Sequence, residues 1–376
     1  MSRPLPLEGV RVIEFSHMVM GPTCGLVLAD LGAEVIKVEP AGKGDPTRYL
    51  TSSGAGFFAS FNRNKKSVTL DLASAEGIAL AKKLVATADV FLENFRPGAL
   101  EAKGLGYGAL SAANPRLIYL SLKGFLAGPY EKRTALDEVV QMMAGLAFMT
   151  GPVGRPLRAG APVNDMMGGM FGAIAVMAAL RERDRTGRGQ YVQSGLFENA
   201  AWLVSTHMMQ HAVSGKAPEP MSAGKRAWGV YDVFTTADGK QLFVGVVTER
   251  QWEIFTKRLG EPALLDPAYA TNNDRSRARE TLIPLVASIL GKRTCAELEA
   301  MCEEAGLPFA RVQTPSDLFD DPHLDAGGMI GLTLPDGKAT RIPGLPLQFG
   351  DGRLGLRLPL PQPGEHNDEI LGPLGG

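Results

Sequence analysis

Two carboxylates in this chain stand where a carboxylate could react. Asp165 lies in Pro162-Val163-Asn164-Asp165-Met166-Met167-Gly168-Gly169 and opens an apolar run that Arg181 stops. Its ordinary role would be to cap that helix, as aspartate commonly does. Its reactive role would be as a nucleophile at the mouth of a helix, beside glycines that let a ligand approach closely, where it could attack a thioester. Asp137 begins Asp137-Glu138-Val139-Val140-Gln141, ahead of a second Met/Ala/Gly-rich apolar helix. It too could be a cap. Two carboxylates at the starts of consecutive apolar helices would also suit a dry pocket that handles charge.

Other chemistries find less support. Gly42-Lys43-Gly44-Asp45 lacks the spacing and the Ser/Thr of a phosphate-cradling P-loop. Gly104-Leu105-Gly106-Tyr107-Gly108 has no strand before it, so it is a poor dinucleotide fingerprint. No G-x-S-x-G elbow is present. His207 and His211 are spaced i, i+4 but lack the glutamate of a zinc-protease motif, so they read as an ordinary helix face and no metal is expected. Met142, Met143, Met149, Met166, Met167, Met170 and Met177 read first as core filling, with a pliable wall for an acyl chain as the alternative. Asn62-Arg63-Asn64-Lys65-Lys66 and Glu93-Asn94-Phe95-Arg96-Pro97-Gly98 flank or overlap strand ends, where basic and amide groups suit phosphate and adenine recognition.

The elements that must position these groups alternate along the first half. Apolar β-rich runs at 10–15, 34–39, 67–72, 89–95 and 117–122 alternate with helical stretches near 25–31 and 75–88. That order predicts a parallel sheet covered by helices on both faces, and near-continuous apolar strands agree with it. A long helix is expected over 165–183, a strand over 190–194 and a helix over 198–211. Residues 214–229, rich in Gly, Pro, Ser and Lys, read as a linker. After them, 230–235 and 241–246 flank Ala237-Asp238-Gly239-Lys240, a hairpin signal, and amphipathic helices are expected near 249–259, 278–290 and 295–305. The expected layout is a large domain over 1–213, a linker over 214–229, a small α+β domain over 230–325, and a return to the large domain over 326–376.

Composition narrows the function. The chain has 376 residues with 39 Lys plus Arg against 40 Asp plus Glu, so no global field favours nucleic acid or an anionic membrane. Cys24, Cys295 and Cys302 form neither a disulfide framework nor a close CxxC pair, which fits a reducing, cytoplasmic setting. The opening MSRPLPLEG has no apolar signal region, and the apolar run at 166–180 is shorter than the roughly 20 residues of a membrane span.

Taken together, the chain resembles the class III CoA-transferases, the CaiB/BaiF family. The resemblance rests on Leu7-Glu8-Gly9-Val10-Arg11-Val12-Ile13-Glu14-Phe15, Gly21-Pro22, Asp30-Leu31-Gly32-Ala33-Glu34-Val35-Ile36-Lys37-Val38-Glu39, Gly44-Asp45, the 62–67 and 93–98 blocks, Thr186-Gly187-Arg188-Gly189-Gln190 and Leu265-Asp266-Pro267. It implies a CoA-transferase acting between an acyl-CoA and a carboxylic acid, with Asp165 as the residue that becomes an aspartyl-CoA thioester. Coenzyme A would be substrate, with no tightly bound cofactor. His17, Met18, Val19 and Met20 would face pantetheine and thioester. Leu70, Asn94, Phe95 and Arg96 match the nucleotide-binding part, and Lys103 would stand in for a basic residue replaced here by Ala102. Asp137 would lie on the substrate side. The implied fold is a Rossmann-like domain built from both termini plus a smaller middle domain, in an interlocked homodimer. The alternative is an α-methylacyl-CoA racemase, but its proton-shuttling His would fall at Leu136, which exchanges no proton. Lys225 and Arg226 could pair with a substrate carboxylate or be a solvated loop.

Overall fold

The computed structural model describes residues 4–223, 227–350 and 352–375. Lys225 and Arg226 therefore lie outside the described residues. The chain divides into two compact units: residues 1–150, 156–218 and 322–376 form the larger, and 151–155 with 219–321 the smaller.

The larger unit is built on six parallel strands: β1 (Arg11–Phe15), β2 (Glu34–Pro40), β3 (Lys65–Leu70), β4 (Val90–Glu93), β5 (Ile118–Lys123) and β6 (Tyr191–Gly195). Their order is β3-β2-β1-β4-β5-β6. The first five are almost wholly buried, which is why their sequences lack a polar-apolar alternation. Helices α1 (Met20–Asp30), α2 (Phe57–Phe61), α3 (Ala75–Ala86), α4 (Tyr107–Ala113), α5 (Asp137–Met143), α6 (Leu146–Thr150), α7 (Val163–Thr186), α8 (Leu196–Leu203) and α9 (Ser205–Ser214) accompany them. One core joins α1 and α7 to the sheet through Cys24, Leu28, Leu120, Leu122, Ala173 and Val176. A second joins α3 and α4 to it through Ile36, Val68, Leu84, Phe91 and Leu110.

Several boundaries differ from the sequence reading. α1 starts five residues before the expected 25, because Gly21 and Pro22 fall in its first turn, where Pro costs no helix bond. The apolar stretch after Asp137 is broken into α5 and α6 at Gly145, whose φ of 83° no β-branched or bulky residue would adopt readily. The helix expected over 198–211 is two helices, meeting at Val204. α7 closes on Gly187 in the left-handed conformation, with Arg183 and Arg185 in its last turn. At 24 residues it is long and apolar enough to cross a membrane by length and composition, but it is a helix of this core.

The smaller unit pairs β7 (Val230–Thr235) with β8 (Gln241–Val246) as the expected hairpin, and β9 (Phe309–Arg311) adds to β8. Helices α10 (Glu249–Leu259), α11 (Asn272–Arg277), α12 (Arg279–Leu290) and α13 (Cys295–Ala305) close its core around Phe255, Leu282 and Leu298. Thr248, Thr271 and Thr294 each form a reciprocal capping box, satisfying helix-start donors.

Residues 322–376 rejoin the larger unit. A hairpin of β10 (Met329–Thr333) and β11 (Ala339–Pro343) leads to a strap along β3. Asn64 N–H donates to the Leu358 carbonyl, His366 N–H to the Ser67 carbonyl, and Thr69 N–H to Asn367 Oδ1. The strap thus covers backbone groups that an edge strand would otherwise expose.

Candidate active site

In an open parallel sheet the ligand crevice lies beyond the strand carboxyl ends, where the strand order reverses. Here that point falls between β1 and β4. The segment leaving β1 and the segment leaving β4 hold each other there. His17 N–H donates to Asn94 Oδ1 at 3.1 Å, and Asn94 Nδ2 donates to the His17 carbonyl at 2.9 Å. The His17 ring leans on Phe95, 5.6 Å between centroids. Met18 follows in the left-handed region with φ 64°, a conformation that costs a non-glycine residue energy and persists only when its surroundings enforce it. Its N–H is held by Thr47 Oγ1 at 3.2 Å. Thr47 is in turn held by Asp45, which caps the short turn at Pro46–Tyr49. Sequence reasoning missed Thr47; the available signal was Asp45-Pro46-Thr47, an acid capping a proline-led turn.

The structure brings His17, Met18, Asn94 and Phe95 together. His17 and Met18 are exposed, as is Arg96, while Val19 and Met20 are buried. Val19 packs with Leu26 and Phe61, and Met20 joins the main core. Leu70 is likewise a core residue. Lys103 Nζ donates to the Leu72 carbonyl at 2.8 Å, so it sits just past the end of β3. Although His17 is exposed by surface area, the surrounding protein partly desolvates its ring and lowers its pKa from the ordinary value.

Asp165 stands in the first turn of α7. It does not cap that helix: Pro162 occupies the cap position and no side chain of its own bonds the first turn. The cap comes from Asp137, whose Oδ1 accepts from the N–H groups of Asn164 at 2.8 Å and Asp165 at 3.1 Å. Asp137 Oδ2 accepts from Gln141 Nε2 at 2.5 Å, and Gln141 Oε1 accepts from Ala159 N–H at 2.8 Å. The buried Asp137 thus ties α5 to the start of α7 across 28 residues of sequence. Gln141 was missed, although an Asp and a Gln four apart on a helix signal such a pair. Burial first, and the Asp137 charge second, push the Asp165 pKa up to about 7. Beside it, the fully buried side-chain amide of Asn164 has no hydrogen-bond partner among the described residues at either Oδ1 or Nδ2.

Two sequence readings need correction. Gly168 and Gly169 do not open space for a ligand. A Cβ on Gly168 would lie 2.5 Å from Met20 Cε, and one on Gly169 would lie 2.5 Å from the Met20 carbonyl oxygen and 2.7 Å from Thr23 Cβ. These glycines let α7 press against α1 at Met20, Thr23 and Cys24. Nor are the cations of 62–66 offered to phosphate. Arg63 pairs with Asp30 at 2.6 Å, Lys65 with Glu14 at 2.8 Å, and Lys66 with Glu34 at 3.0 Å. Among the described residues no cluster of three His, Cys, Asp or Glu could hold a metal ion. The two histidines at 207 and 211 sit on α9, with His207 Nδ1 3.5 Å from Gln210 Oε1.

The fold and this site define a class: a doubly wound α/β protein with a carboxylate of raised pKa in the first turn of a helix that packs against α1. The model of CoA-transferase family III matches residues 7–367, and the chain belongs to that family. It is 35% identical to succinyl-CoA–D-citramalate CoA-transferase of Chloroflexus aurantiacus, over 98% of this chain and 94% of that one. It is 34% identical to succinate–glutarate CoA-transferase of Agrobacterium fabrum, over 99% of this chain and 96% of that one. A crystal structure of a CaiB/BaiF family protein from Brucella suis superposes with a TM-score of 0.88 at 33% identity, covering 99% of this chain and 100% of that one. The protein is an enzyme, a CoA-transferase that uses CoA thioesters as substrates.

Proposed function

We propose that Asp165 carries the transfer as a covalent nucleophile. The observation that supports it is a poorly solvated carboxylate whose pKa stands near 7, in the first turn of a helix that packs against α1. A carboxylate with little solvation to shed is a better nucleophile than one in water. An Asp165 oxygen adds to the donor thioester carbonyl, the C–S bond breaks, and CoA thiolate leaves a mixed anhydride. The thiolate then attacks Asp165 Cγ, releases the donor acid as its carboxylate, and leaves an aspartyl-CoA thioester. The acceptor carboxylate attacks the same carbon and expels the thiolate. A final attack by thiolate on the acceptor's acyl carbon frees Asp165 and yields the new acyl-CoA. Coenzyme A enters and leaves as substrate, and no step requires a tightly bound cofactor.

His17 and Met18 are read as the surface for pantetheine and thioester, and Asn94, Phe95, Arg96 and Lys103 as the nucleotide side. Short dicarboxylic acids are the proposed substrates, with succinyl-CoA the first donor to try, because the relatives are named for such acids. The proposed assembly is an interlocked homodimer. Its support is the exposed apolar stripe Met166, Met170 and Ile174 along α7, with Met208, Met209 and Val213 on α9, since patches of this kind mark contact surfaces. The proposed compartment is the cytoplasm, in keeping with three free, buried thiols.

A panel of acyl-CoAs in D2O, with and without free carboxylic acids, read by mass spectrometry, tests the reading. New acyl-CoA species that require added acid are expected, together with a CoA adduct on the peptide holding Asp165. Deuterium at the α-carbon without acyl exchange would replace transfer with racemisation. Full turnover by Asp165→Ala would remove Asp165 from the chemistry.

A further inference from the structure

The carboxyl ends of β4 and β5 carry a buried ion pair that the transfer steps do not use. Glu93 is 2% exposed and Lys123 9%. Lys123 Nζ donates to Glu93 Oε1 at 2.8 Å and to the Phe95 carbonyl at 3.0 Å. Glu93 Oε2 accepts from Phe95 N–H at 2.8 Å, and Ser121 Oγ donates to Glu93 Oε1. The pair therefore grips the main chain of Phe95 by both its N–H and its carbonyl. The neighbouring residue, Asn94, grips the main chain of His17 in the same two-ended way. The two clamps are in series: the ion pair fixes Phe95, the residue joined to Asn94, and Asn94 fixes the turn through His17 and Met18. Desolvation offsets most of what a buried ion pair contributes to stability, so its place at the switch point asks for another account.

We propose that Glu93 and Lys123 are positioning residues for the CoA-binding turn, holding His17 and the left-handed Met18 ready before the thioester arrives. This rests on the CoA-transfer reading and names the residues that set its affinity for coenzyme A. A turn ordered in advance spares the ligand an ordering cost, so the loss on removing the pair falls on binding rather than on the chemical steps.

The test is Lys123→Gln in the full chain. Its Kd for free coenzyme A, by titration calorimetry, and its KM for the acyl-CoA donor should both rise about tenfold. Turnover at saturation and KM for the acid should change less than about twofold. Arg183→Gln is the control. It breaks the Asp89–Arg183 pair, 2.9 Å long, at the opposite end of β4, and should lower stability without weakening coenzyme A. Equal Kd values for Lys123→Gln and Arg183→Gln would overturn the proposal. If Lys123→Gln does not fold, Ser121→Ala, which removes one hydrogen bond to the same carboxylate, carries the test with an expected loss of about threefold. A Ser121→Ala protein that binds as wild type does would overturn the proposal as well. Wild type that binds no coenzyme A would instead sink the transfer reading itself.

Discussion

The Asp137 carboxylate spends Oδ1 on the N–H groups of Asn164 and Asp165, so it fixes the start of α7 with the same charge that repels Asp165. Only ionised Asp165 attacks a thioester, so kcat/KM should fall as pH drops through about 7, the pKa of Asp165. Asp137→Asn keeps an oxygen for the two N–H groups and removes the charge. Its pH–rate profile should carry the acid limb about one unit lower; an unmoved limb would leave burial as the whole cause. The same pKa bears on stability. The folded state holds the Asp165 proton more tightly than the unfolded chain does, whose carboxyl stays near 3.8. Between those two pKa values the fold retains a proton that the unfolded chain releases, so stability falls as pH rises. Asp165→Asn should therefore raise the melting midpoint more at pH 8 than at pH 4, with a gain of roughly 1–4 kcal/mol at the higher pH. The sequence exposed Asp165 because an acid at the head of an apolar run is conspicuous. It hid the role of Asp137, since a cap lent by one helix to another leaves no local pattern.

Between elements, α7 presses closely on α1 at Gly168 and Gly169. Gly169→Ala would drive a methyl group toward the Met20 carbonyl and Thr23, both backbone-anchored and unable to yield cheaply. A loss of about 1–3 kcal/mol in urea unfolding is expected, with turnover falling further than stability because Asp165 rides on the displaced helix. α1 meets a second constraint at Gly25, where a Cβ would lie 1.8 Å from Glu14 Oε2 and 2.9 Å from Lys65 Nζ. The helix lies directly over that buried ion pair. Burial and Glu14 act in opposite senses on Lys65, and burial prevails, bringing its pKa down to about 8. This explains why the 62–66 block misled. A run of Arg, Asn and Lys looks solvated, and only the fold shows that Asp30 and Glu14 lie beneath it. Strands were legible because burial on both faces leaves continuous apolar runs. Short helices such as α4 and α11 were not, because seven or six residues carry too little periodicity.

For the whole molecule, the alternation of strands and helices gave the parallel sheet, but not where the strand order reverses. That point locates the crevice and explains why loops after β1, β2 and β4 must meet. The apolar stripe on α7 belongs to this scale too. On the proposed homodimer, Met170→Glu with Ile174→Glu should lower the sedimentation coefficient from that of a dimer to that of a single chain. A variant that sediments as wild type would detach the stripe from assembly.

The strap along β3 makes the order of synthesis matter. The Gly364 N–H that meets Ser67 Oγ lies 297 residues later in the chain. At the usual speed of translation, that interval is on the order of 15–60 s. Through that time the sheet has an open margin on a nascent chain, and the smaller unit is made before it closes. A ribosome that stalls after residue 350 would leave every strand of the sheet in place and its border unsealed. Such truncated products are the ones expected to need a chaperone, and the ones expected to pair with each other when none is at hand.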